Sequence, residues 1–170
     1  MFREERKETA PDAAYEIKSL GHNGQIRRAQ IVCGPEGQEF GSLIEVHAEA
    51  GAGPARARWE PEPIATVCIP PEYAKPGVFG LRIKGSSMEP LINRGAFVGV
   101  NSDDREFVSG DIYAVFIPYE GLIVKRLFMD LATGDYVLRS INPDHPDMRL
   151  PIEQSEHLIV GRVVWVLQKF

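Results

Sequence analysis

Gly110-Asp111-Ile112-Tyr113-Ala114-Val115-Phe116-Ile117-Pro118-Tyr119-Glu120-Gly121-Leu122-Ile123-Val124-Lys125-Arg126-Leu127 holds two short apolar runs separated by a turn signal. Each run is rich in β-branched and aromatic residues and too short for a helix, so Asp111–Ile117 and Leu122–Leu127 read as strands. The pattern repeats on both sides: Phe79–Ile83, Ala96–Val100, Tyr136–Ser140 and Leu158–Val166 have the same character. Between them lie Asn93-Arg94-Gly95, Ser109-Gly110-Asp111, Thr133-Gly134-Asp135 and Asn142-Pro143-Asp144, all turn formers. From Val78 onward the chain therefore reads as mainly β, an antiparallel barrel or sandwich.

Upstream the signals weaken. Residues 1–50 carry six Lys/Arg against nine Asp/Glu, with glycines scattered through them. Residues 1–41 read as a polar, poorly structured arm or linker with at most a short helix around Ala13–Leu20. Gly41–Glu49 has a strand-like core in Leu43-Ile44-Glu45-Val46, and Ala50-Gly51-Ala52-Gly53-Pro54 then ends regular structure. Prolines at 61, 63, 70, 71 and 76 make a second break. The expected organisation is an arm over 1–41 and one β domain over 42–170, with 46–55 an accessible connector inside it.

Composition excludes several classes. With 44% hydrophobic and 25% charged residues the 170-residue chain is ordinary globular material. A net charge of −5 is not that of a body adapted to nucleic acid, and the three amphipathic helices of a helix-turn-helix module are not visible. The two cysteines, Cys33 and Cys68, are too few for a disulfide framework or a structural zinc site, which points to a reducing, cytoplasmic setting. Cys68 reads as a small buried apolar residue. No apolar run approaches the ~20 residues of a membrane-spanning helix. No cofactor motif is present. The acidic loops Asp103-Asp104-Arg105-Glu106 and Asp144-His145-Pro146-Asp147 read as hydrated turns, and Trp165 among valines as core or subunit interface.

The segment with chemical potential is Lys84-Gly85-Ser86-Ser87-Met88-Glu89-Pro90, where a strand hands over to a short helical turn. Ser86 followed by Glu89 has capping-box spacing, which by itself explains a serine here. The alternative is that Ser87 is a nucleophile, with nearby backbone N–H groups placed for an oxyanion. Such a serine needs a base. His22, His47, His145 and His157 are isolated and read as surface or loop residues. Strand alternation puts Lys125 on one face with Ile123 and Leu127, where lost solvation depresses its pKa and yields a neutral amine. A lysine snorkelling from a strand edge has the same pattern.

Gly85-Ser86-Ser87-Met88-Glu89-Pro90, Gly95, Val124-Lys125-Arg126-Leu127 and Leu138-Arg139-Ser140-Ile141-Asn142-Pro143 closely resemble the self-cleaving repressors typified by LexA and the lambdoid phage repressors, from about Ile44 to Val166. The Val-Lys-Arg-Leu lysine lies 38 residues after Ser87. The resemblance implies a serine endopeptidase in which Ser87 is the nucleophile and Lys125 its general base. It also implies a homodimer, activated RecA filament as a partner, and a role in a DNA-damage or prophage response. That family cuts its own chain at an Ala-Gly or Cys-Gly bond some 35–40 residues before the serine. Ala50-Gly51 lies 37 residues upstream and Ala52-Gly53 lies 35, whereas Cys33-Gly34 is 54 away. Ala50-Gly51 is favoured because Val46-His47-Ala48-Glu49 resembles the strand leading into the bond, and small residues let the backbone enter a tight site. The segment is expected to move into the site before cleavage. The chain departs from the repressors in lacking visible DNA-binding helices and in carrying Ser86 beside the nucleophile. Contact with DNA is therefore expected only through a region not visible here. A UmuD-like polymerase accessory and a non-catalytic dimerisation module are the alternatives.

Overall fold

The computed structural model describes residues 16–19, 30–33, 39–51, 53 and 62–170. Among these residues, β1 (Glu16–Ser19), β2 (Gln30–Cys33), β3 (Glu39–Ala50), β4 (Ala65–Ile69), β5 (Val78–Ile83), β6 (Phe97–Asn101), β7 (Ile112–Ile117), β8 (Gly121–Met129), β9 (Tyr136–Arg139), β10 (Met148–Leu150) and β11 (Ile159–Leu167) belong to one sheet, with α1 (Ile152–Leu158) before the last strand. The sheet runs β1-β2-β3-β5-β6-β11-β7-β8-β9-β10, and β4 attaches to β3. The protein is mainly β, as the sequence indicates. Its strand path has two ends, so it does not close as a barrel.

The hairpin of the opening segment forms as read. β7 and β8 pair antiparallel, with Tyr113 opposite Lys125 and Val115 opposite Ile123. Alternation sends Ala114, Leu122 and Val124 into one apolar cluster, and Tyr113, Val115, Ile123 and Leu127 into another. With both faces covered, the hairpin joins the two clusters. A third cluster is built from Ile44, Val46, Val67 and Ile69, with Phe97 and Trp165 packed against it. In β11, Trp165 sits opposite Gly99 of β6, and a Cβ at residue 99 would lie 2.0 Å from the indole. Trp165 is thus core packing, and Gly99 is the space its ring fills.

Several expectations are corrected. Glu16–Ser19 is a strand, not part of a helix; its backbone pairs with β2, a case of tertiary pairing overriding weak local preference. The remainder of Ala13–Leu20 lies outside the described residues. The β3–β5 pair is parallel, with Val46 opposite Gly80 and Ala50 opposite Ile83, so the sheet is mixed. Cys68 is exposed and unpaired: alternation turns Val67 and Ile69 inward and Cys68 outward. His47, read as a surface or loop residue, is only 5% exposed in β3, and its Nε2 lies 3.0 Å from Glu45 Oε2. His22 lies outside the described residues. Asp104 and Asp111 both hold the Arg162 guanidinium, at 2.7 and 2.8 Å, tying the loop before β7 to β11.

Candidate active site

β5 ends at Ile83, and the chain turns through Lys84–Glu89. The turn is anchored from below by Met88 and Ile92, both buried in the first apolar cluster. It is held from the side by the segment after β9. Ile141 N–H and Asn142 N–H both donate to the Ser87 carbonyl at 2.9 Å, and Asn142 Nδ2 donates to the Ser86 carbonyl at 3.1 Å. These bonds fix the backbone on which the Ser87 hydroxyl is carried. The capping box does not form. Ser86 Oγ instead shares a 3.0 Å hydrogen bond with His145 Nε2, and Glu89 accepts from Arg94 N–H at 3.1 Å.

Lys125 sits mid-strand in β8 and is 6% exposed. Its Nζ donates to Ser140 Oγ at 2.7 Å, and among the described residues no carboxylate forms an ion pair with it. Burial pushes the amine below its ordinary value, while the more distant Glu120 and Asp147 pull it partly back. No hydrogen bond joins Lys125 to Ser87 in this arrangement.

Ser87, Lys125, Ala50 and Gly51 line one cavity of about 280 Å³, together with Ser86 and His145. In this arrangement β3 carries Ala50 and Gly51 to the cavity wall. The Ala50 methyl, 1% exposed, packs in the first apolar cluster with Ile83 and Val124. The Ala50 carbonyl accepts from Lys84 N–H at 2.8 Å, and Gly51 N–H donates to the Leu122 carbonyl at 2.8 Å. The segment thus extends between the ends of β5 and β8. Gly51 has φ +76°, and a Cβ there would stand 2.7 Å from the Gly85 nitrogen, so only glycine fits. Gly53 does not line this cavity, and Ala52 lies outside the described residues.

The sequence names Ser140 only within the resemblance and His145 only as a surface or loop residue; the structure puts Ser140 against Lys125 and His145 against Ser86. The signal for Ser140 was present: it alternates inward from Arg139, which pairs with Arg126, the neighbour of Lys125. His145 carried no local signal, because a loop fold brings it back across 59 residues to Ser86.

Residues 43–164 match the Peptidase S24-like family. A segment of 86 residues, 50% of this chain, is 30% identical to the HTH-type transcriptional regulator PrtR of Pseudomonas aeruginosa and covers 33% of that protein. A segment of 91 residues, 52% of the chain, is 32% identical to Repressor protein CI of Enterobacteria phage phi80 and covers 36% of it. The chain thus spans about a third of the length of these curated relatives. A mostly β fold with a serine and a buried lysine on one cavity is the class of protein that the structure defines. Within that class, the chain belongs to the Peptidase S24-like family.

Proposed function

We propose that the protein is a latent serine endopeptidase that cuts its own Ala50–Gly51 bond, and that this cut regulates transcription. The observation that carries the reading is the shared cavity of Ser87, Lys125, Ala50 and Gly51. Neutral Lys125 takes the Ser87 proton, and Oγ attacks the Ala50 carbonyl carbon. The C–N bond breaks, Gly51 leaves as an amine with the proton returned by Lys125, and water then hydrolyses the Ala50 ester. The N–H groups of Ser87 and Met88 have no acceptor among the described residues, which suits them to an oxyanion. Lys84 N–H already holds the Ala50 oxygen. Because Lys125 is engaged with Ser140, attack requires it to turn toward Ser87, a conformational gate preceding chemistry.

The names of the relatives support transcriptional regulation, and a damage or prophage response is the setting in this reading. Exposed Val164, Val166 and Leu167 on β11 suit a homodimer. Activated RecA is the promoting partner in this reading. In this reading residues 42–170 carry peptidase and dimerisation functions, and β1 and β2, within 1–41, pair onto the edge of that domain's sheet instead of standing apart as an arm.

Purified protein, Ser87→Ala and Lys125→Ala are incubated from about pH 7 to 10, the range in which a perturbed lysine titrates, and weighed intact. Fragments ending at Ala50 and beginning at Gly51 are expected from the unaltered chain alone. Their rate rises with pH as Lys125 loses its proton and levels off below the ordinary lysine range. Fragments persisting in Ser87→Ala would place the nucleophile elsewhere. No fragments even with activated RecA would leave a dimerisation module.

A further inference from the structure

The residue before the bond lies on the opposite face of β3 from Ala50, since successive side chains alternate. Glu49 therefore turns away from the apolar cluster that takes the Ala50 methyl. On that other face Lys84 Nζ approaches Glu49 Oε1 to 3.2 Å, and the Glu49 side chain is 18% exposed. In the parallel ladder Glu49 stands opposite Arg82, whose guanidinium lies 5.9 Å over the Phe97 ring. The end of β5 thus puts Arg82 at the rung of Glu49, and Lys84, just past the strand, makes the ion pair with its carboxylate. Lys84 holds the segment twice, through its ammonium on Glu49 and its N–H on the Ala50 carbonyl.

We propose that Lys84, backed by Arg82, is a specificity-determining residue that reads an acidic side chain immediately before the cleaved alanine. The inference rests on the peptidase reading and deepens it by naming the substrate class. That class is an extended segment with an acidic residue, then a small one, then glycine, whether from the same chain or a second copy. Three separate demands define it. The apolar cluster admits only a small side chain at 50, the Gly51–Gly85 approach requires glycine at 51, and the Lys84 ammonium favours a carboxylate at 49. Lys84 is a positioning residue, since it acts on the register of the segment and not on the reacting proton.

The test is a charge swap in the full chain, comparing Glu49→Gln, Glu49→Lys, Lys84→Glu and the Glu49→Lys/Lys84→Glu double variant. Self-cleavage is expected to slow about threefold in Glu49→Gln and about tenfold or more in either reversal, the scale of a partly exposed pair plus like-charge repulsion. The double variant is expected to recover most of the loss, and the differences to shrink in high salt. A second readout needs no chemistry. In a Ser87→Ala background, amide exchange at Gly51 N–H and Lys84 N–H is expected to speed up in the single reversals and to return toward the parent in the double variant. Cleavage at the parent rate in both reversals, or a double variant as slow as the product of the singles, overturns the proposal. If the unaltered chain yields no fragments, the peptidase reading falls while the exchange measurement still decides the latch. A variant that lowers exchange protection across β7 and β8 as well has lost its fold, and Glu49→Gln then decides: parent behaviour there counts against the latch.

Discussion

β8 and the end of β3 both deliver residues to the same cavity, yet they are held in different ways. β8 is paired along most of its length, by β7 on one side and β9 on the other, and its neighbours Leu122, Ile123, Val124 and Leu127 are buried. The segment 49–51 closes the parallel ladder with β5 and is otherwise held by a hydrogen bond from Lys84 N–H, one to the Leu122 carbonyl, the Glu49 ion pair and a single buried methyl. A base must keep its environment through the reaction, because its pKa depends on that environment. A substrate segment must be able to leave. In the proposed mechanism the first task falls to a strand packed on both faces and the second to a strand terminus.

The comparison breaks most severely in the hairpin. Leu127→Ala, at a fully buried position of β8, is expected to cost about 3 kcal/mol by emptying the second cluster. Denaturant unfolding measures the loss, and one cooperative transition of the whole sheet is expected. Gly51→Ala strikes the terminus instead. The added methyl meets the Gly85 backbone, so the segment shifts by about 1 Å and cleavage falls about a hundredfold. Global stability is expected to change by about 1 kcal/mol or less, since only the strand end is displaced. Fragment mass spectra and a thermal melt on one preparation separate the two effects.

Lys125→Met sharpens the contrast from the other side. Burying the amine costs stability, so the apolar replacement is expected to gain about 1 kcal/mol at neutral pH and, on the proposed mechanism, to abolish cleavage. The sign follows from the lowered pKa. Below the folded value both states bind the proton and the folded state bears the desolvation penalty. As pH rises from there toward the ordinary lysine value of 10.5, the unfolded chain holds the proton the folded one has shed, and stability increases. The unaltered protein should gain relative to Lys125→Met across that window. Smallest is His145→Ala, which frees Ser86 Oγ at a cost of about 1 kcal/mol or less and slows cleavage about threefold through the loosened turn.

What the sequence disclosed divides along the same line. The β7–β8 hairpin was legible because its partner strands and turn are contiguous and their periodicity is local. Lys125 was legible because a charge at an inward strand position violates that periodicity. The parallel β3–β5 pairing was not, since it is made across the proline-rich connection after residue 53, and nothing in Leu43–Val46 encodes which strand it will join. β4 was missed for a related reason: Thr66-Val67-Cys68-Ile69 is short, flanked by prolines, and paired only with β3. Ser140 and His145 reach the cavity through long-range contacts whose individual residues look ordinary.

β3 pairs with β2, β4 and β5 and buries Ile44, Val46 and Ala48 before it reaches Ala50. A cut after Ala50 removes one covalent link and none of these ladders. The products of such a cut form a nicked particle whose two polypeptides separate only when strand exchange or unfolding extracts β3 from the sheet. Scission and release are then distinct events with separate barriers, and a denaturing gel counts the first while a native gel counts the second.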